Sequence, residues 1–76
     1  MDAYQSAFGR HIRYIRMLQG STQEEVAHRA GIHVTYLSGI ERGQRNPSLK
    51  NIRAIAKAMN VNTADLFSFE PESSSE

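Results

Sequence analysis

Four times along this 76-residue chain, an apolar pattern with a period near 3.6 residues runs into a glycine or an asparagine and stops. Tyr4, Phe8, Ile12, Ile15 and Leu18 make the first stripe, and Gly20 follows it. Val26, Ala27 and Ala30 precede Gly31. Tyr36, Leu37 and Ile40 precede Gly43. Leu49, Ile52, Ile55, Ala56 and Met59 precede Asn60. The period is that of an amphipathic helix. Glycine and asparagine are the residues that most readily take the left-handed conformation closing one. No sustained alternation and no Asn-Gly or Asp-Gly turn argues for strands. The pattern predicts helices over 3–19, 23–30, 34–42 and 48–59, with a last short helix or turn from 62 or 63 to 67. The expected fold class is all-α, a compact bundle of five short helices.

The helix starts are also written in the chain. Thr22 and Glu25 have the T-x-x-E spacing of a capping box. Ser48 suits the start of the fourth helix, whereas His33 is a weak cap for the third. A single domain of this length buries only roughly 60% of its unfolded surface, so an enzyme cleft with supporting layers is hard to build. There is no cysteine, hence no disulfide framework and no thiolate metal site. No secretory leader is seen, and no apolar run approaches the ~20 residues of a membrane span. The expectation is a cytoplasmic protein.

Charge is uneven. Residues 1–67 hold all nine Lys and Arg against Asp2, Glu24, Glu25, Glu41 and Asp65, whereas Glu70, Glu72 and Glu76 lie beyond. A moderately basic body permits a polyanion partner. Residues 68–76, SFEPESSSE, are acidic and of low complexity, and this segment is predicted to be a disordered tail.

Residues 23–42 form a recognisable unit. A two-turn helix ends at Gly31, and a second helix begins after a few residues. Ala27 is small enough to let the second helix approach. Val26, Ala30, Ile32, Leu37 and Ile40 fill the angle between the two. This is the helix-turn-helix pattern. Its second helix carries a glycine, Gly39, at its middle, at a cost of roughly 1 kcal/mol relative to alanine. Thr35, Ser38 and Gly39 make a small, polar face, predicted to point outward.

The stretch STQEEVAHRAGIHVTYLSGIERGQRNPSLKNIRAIAKAMNV resembles the phage-repressor/Cro-type helix-turn-helix family, also called the XRE family. It is similar to small stand-alone members such as restriction–modification controller proteins. The resemblance covers about residues 6–67. It implies a lambda-repressor-like fold and a sequence-specific transcriptional regulator, a repressor or an activator, that binds double-stranded operator DNA as a homodimer. Carried over position by position, it implies base or groove contacts from His33, Val34, Thr35, Tyr36, Ser38 and Gly39. Phosphate contacts are implied for Gln23, Arg42, Gln44, Arg45 and Asn46. It pairs Arg16 with Glu41 as a structural salt bridge. Some relatives carry Arg or Gln where this chain has Val34, which can offer only apolar contact, for example to a thymine methyl.

A two-fold regulator needs a dimer contact. The apolar residues Met59, Val61, Leu66, Phe67 and Phe69 are the candidates. Other chemistry is weakly supported. His11, His28 and His33 lack the partners and spacing of a metal site. Ser38, His33 and Glu41 have triad residue types without an oxyanion site. The expectation is therefore no enzyme, no metal and no cofactor. The alternative function class is a protein-interaction module, in which an antitoxin-like domain binds a protein partner.

Overall fold

The computed structural model describes residues 2–70. Among them there is no strand. Helix α1 runs Ala3–Leu18, α2 Gln23–Ala30, α3 Val34–Glu41 and α4 Leu49–Ala58, followed by a 3-10 helix, Thr63–Phe67. Four α-helices and a 3-10 turn therefore stand where five helices were expected. The last element is the exception for a physical reason. Only five residues separate its Asn62 cap from Ser68, too few for a ladder of i→i−4 bonds, and Leu66 must turn inward to seal the core.

The caps explain the helix starts. Asp2 accepts from the Tyr4 N–H at 2.8 Å. Thr22 accepts from the Glu25 N–H at 3.0 Å while the Glu25 carboxylate takes the Thr22 N–H at 2.9 Å, completing the box. Ser48 accepts from Asn51 at 3.1 Å. His33 precedes α3 with no side-chain cap. The ends share one device. In α3, the Gln44 N–H reaches back to the Gly39 carbonyl and the Gly43 N–H to Ile40, with Gly43 at φ 76°. This is the Schellman arrangement, which satisfies carbonyls that the helix leaves open. Asn60, at φ 56°, closes α4 the same way.

Packing joins α1 to α3 and the 3-10 helix, and α2 to α3 and α4. Phe8, Ile12, Val26, Ala27, Leu37, Ile40, Ile55, Ala56, Met59 and Leu66 are buried together. The predicted stripes outrun this core at three points. Tyr4 and Leu18, at the two ends of α1, are 47% and 69% exposed, and Leu49 is 79% exposed. The helices are longer than the core they flank.

Gly9 sets the approach of α1 to α3. A Cβ there would overlap the Ile40 carbonyl oxygen and stand 2.8 Å from that of Glu41. The backbones touch where a side chain is missing. The sequence reading of α1 did not assign Gly9 a role.

Two of the five dimer candidates are core residues. Met59 and Leu66 are sealed inside the domain, in the core cluster that also holds Ile12 and Ile55. The other three lie nearer the surface. Phe67 packs on Phe8 at 5.0 Å between ring centroids, and Phe69 on Tyr4 at 5.1 Å. Val61 is half-buried. Phe69 thus belongs to the packed domain although the sequence placed it in the tail. Residues 71–76 of that tail lie outside the described residues.

Candidate nucleic-acid interface

Helices α2 and α3 pack against each other through Val26, Ala27, Leu37 and Ile40, all buried. Leu37 and Ile40 anchor α3 by one face, which leaves His33, Val34 and Thr35 exposed at its start. Tyr36 is half-buried, and its hydroxyl accepts from the Asn51 side chain of α4 at 3.2 Å. This bond fixes the ring against the body of the domain. Ser38 is also half-buried, and its hydroxyl accepts from Arg42.

Behind α3 lies a carboxylate junction. Glu41 is only 5% exposed. Arg16 donates from Nε to Glu41 Oε2 at 2.7 Å and from Nη2 to Oε1 at 2.9 Å. Its Nη1 donates to the Ser21 carbonyl at 2.9 Å. Gln23 Nε2 donates to Glu41 Oε1 at 2.9 Å. One side chain each from α1, α2 and α3 therefore meet at a single buried charge. Forked, two-point pairing of this kind fixes direction as well as distance. The hydrogen bonds to Glu41, reinforced by its charge and opposed by burial, raise the Arg16 pKa above its ordinary value. A raised arginine pKa contributes stability at every pH below the ordinary value. That stability is lost only as strongly alkaline pH passes the raised one.

The sequence reading gave the Gln23 side chain to a phosphate; here one N–H of its amide is bound to Glu41. An open concavity of about 540 Å³ lies in front of it, lined by Arg13, Ser21, Thr22, Gln23, Ser38 and Arg42, among others. The N-terminus of α2 opens onto it. Arg13 lines this concavity, a place the sequence reading did not give it. Its only sequence signal is its spacing, one turn before Arg16 on a face of α1 away from the apolar stripe.

Gly39 is not the open outward position that was expected. It is buried, because the side chain of Arg45 lies across it. The loop after α3 brings the remaining candidates together. Arg42 donates through Nε and Nη2 to Gln44 Oε1 at 3.2 and 3.1 Å. Gln44, Arg45 and Asn46 are all exposed. The loop is tied to α1 by Gln5, which donates to the Gly43 carbonyl at 3.0 Å.

The helix-turn-helix family model matches residues 12–66, taking in α2, α3 and the junction that joins them. The chain belongs to this helix-turn-helix family. It is 46% identical over 63 residues to the control protein C.BamHI of Bacillus amyloliquefaciens, covering 82% of this chain and 78% of that one. The crystal structure of the restriction-modification controller protein C.AhdI from Aeromonas hydrophila superposes with a TM-score of 0.86 at 39% identity. The match covers 87% of this chain and all of that one. A third similar structure is the controller protein C.Esp1396I, solved as a tetramer in complex with its natural 35-base-pair operator. Its TM-score is 0.82 at 34% identity, over 88% of each chain. Among the described residues of this helix-turn-helix protein, no helix is long and apolar enough to cross a membrane.

Proposed function

We propose that this protein is a sequence-specific transcriptional regulator that inserts α3 into the major groove of an operator, acting as a homodimer in the cytoplasm. The observation carrying the proposal is the contrast between the two sides of α3. One side is locked to α1 and α2 by Leu37, Ile40 and the Glu41 junction, while His33, Val34 and Thr35 stay exposed. A recognition helix needs that division, since its first residues must reach base edges without the helix shifting. The operator complex of C.Esp1396I, a protein of the same fold, supports it.

Roles follow from placement. Thr35 and Val34 meet the bases, Thr35 by hydrogen bond or methyl contact and Val34 by apolar contact alone. His33, Tyr36 and Ser38 line the same groove. Arg42, Gln44 and Asn46 hold the flanking phosphates, which set register without reading sequence. Gln23 acts indirectly, by bracing Glu41. The phosphate at α2 is met by the helix N-terminus and by Arg13. Such a domain takes in Phe69 beyond residue 67, with the helix-turn-helix unit at 23–42. Val61, Phe67 and Phe69 remain as dimer contacts.

Binding to an operator selected from a random duplex library tests this. The affinity should fall linearly with salt on a double-logarithmic plot, losing about a thousandfold between roughly 50 and 200 mM. Weak binding that does not change with salt removes the DNA reading. A monomeric mass at micromolar concentration, with and without the duplex, removes the homodimer.

A further inference from the structure

The Tyr36 hydroxyl sits where α3 meets α4. Ser48 caps α4 through the Asn51 N–H at 3.1 Å, which places Asn51 in the first turn of that helix. From there the Asn51 side chain donates through Nδ2 to Tyr36 Oη at 3.2 Å. Both residues are half-buried, and the Tyr36 ring packs against the core. The ring is thus held by apolar contact and its oxygen by an amide. A phenol carries one proton and can both donate and accept. Here it already accepts, and among the described residues nothing takes its proton. Ile32, His33, Tyr36 and Asn51 line an open hollow of about 480 Å³ beside the exposed start of α3.

We infer that Asn51 is a positioning residue for DNA recognition: it turns the Tyr36 hydroxyl into a donor, aimed at an acceptor oxygen of the duplex. This rests on the operator-binding reading above and changes the part Tyr36 plays in it, from a side chain that lines the groove to one that bonds there with a fixed polarity. The chemistry of the partner favours a donor. Phosphate oxygens only accept, and so do the guanine and thymine oxygens of the major groove. A hydroxyl with no neighbour rotates about its C–O bond and offers either its proton or a lone pair. With the Asn51 N–H on one side, the proton is sent to the other. The pairing is made on folding, so the hydroxyl gives up little freedom when DNA arrives. Nothing in the local pattern marks Asn51 for this, since Tyr36 lies 15 positions before it.

A double-mutant cycle on the full chain tests the polarity. Affinity for the selected operator is measured for wild type, Tyr36→Phe, Asn51→Asp and the pair. Tyr36→Phe should weaken binding about tenfold, the loss expected for one hydrogen bond to a strong acceptor. Asn51→Asp puts an acceptor where the amide donor was, so the phenol proton turns inward. In that background Tyr36→Phe should change affinity by no more than a factor of about two. Each comparison is made within one background, so the charge added by Asn51→Asp cancels. That change also suits the first turn of a helix, and its melting temperature should stay within about 5 °C of wild type. Tyr36→Phe binding as wild type, or costing the same in both backgrounds, overturns the inference. An unrelated duplex locates the acceptor: an equal loss on both duplexes assigns it to a phosphate, and a loss confined to the operator assigns it to a base edge. A second measurement needs no DNA. The Asn51 side-chain amide protons should shift by NMR on Tyr36→Phe, which keeps the ring and removes the oxygen. Signals that stay in place overturn the bond and the inference with it. A wild-type chain that enriches no duplex sequence overturns the operator reading, while the amide signals still report separately on the Asn51–Tyr36 pair.

Discussion

Two glycines in the middle of helices do opposite work here. Gly9 faces inward, against the carbonyls that end α3, and Gly39 faces outward, beneath an arginine. Both forgo roughly 1 kcal/mol of helix propensity. At Gly9 the obstacle to a side chain is backbone, which has nowhere to go. At Gly39 it is the stem of an exposed arginine, which can swing into water. A helical glycine is therefore informative only through its neighbour: fixed backbone atoms mark a packing contact, whereas an exposed side chain can give way.

The comparison can be broken most directly at Gly9. Gly9→Ala should cost about 3 kcal/mol, because α1 must lift from α3 or the helix must bend. Urea unfolding gives the value, and a loss below about 1 kcal/mol would put Gly9 in the same class as Gly39. The same crossing is held from the other side by Arg16 and Glu41. Glu41→Gln keeps the shape and removes the charge, and should cost about 2 kcal/mol. A loss under about 0.5 kcal/mol would mean that backbone contact alone sets the angle of α3. Gly39→Ala comes last. Gained helix propensity offsets the displaced stem, so stability should stay within about 1 kcal/mol of wild type. A drop beyond about 2 kcal/mol in thermal melts would show that Arg45 is as immovable as the Ile40 carbonyl.

Much of this architecture was legible in the chain. The α2 bounds, the Thr22–Glu25 box and the stops at Gly20, Gly31, Gly43 and Asn60 are local matters, decided by a few neighbouring residues. The inward set of the helix-turn-helix unit was legible for the same reason, since 3.6-residue spacing names a face. What escaped depends on residues far apart. Whether Met59 and Leu66 are spare or core depends on α1 lying against the 3-10 helix. Nothing within α1 marks Gly9 as the crossing point, because its partners are carbonyls some 30 residues later. Gln23 looks like a free helix-start residue until Glu41, 18 positions on, is seen to take its amide. Gly39 was noticed from sequence, but its cover comes from a turn whose path back over the helix no propensity describes.

The ring pairs Tyr4–Phe69 and Phe8–Phe67 bear on how the chain is made. The apolar face of α1 is completed by α3 and by residues 63–69, so α1 is made well before the last elements that cover it. Until residue 69 has emerged, Phe8 cannot have both of the rings it packs with, Phe67 and Phe69. The expected consequence is folding in one late cooperative step, set by closure of a loop of about 60 residues.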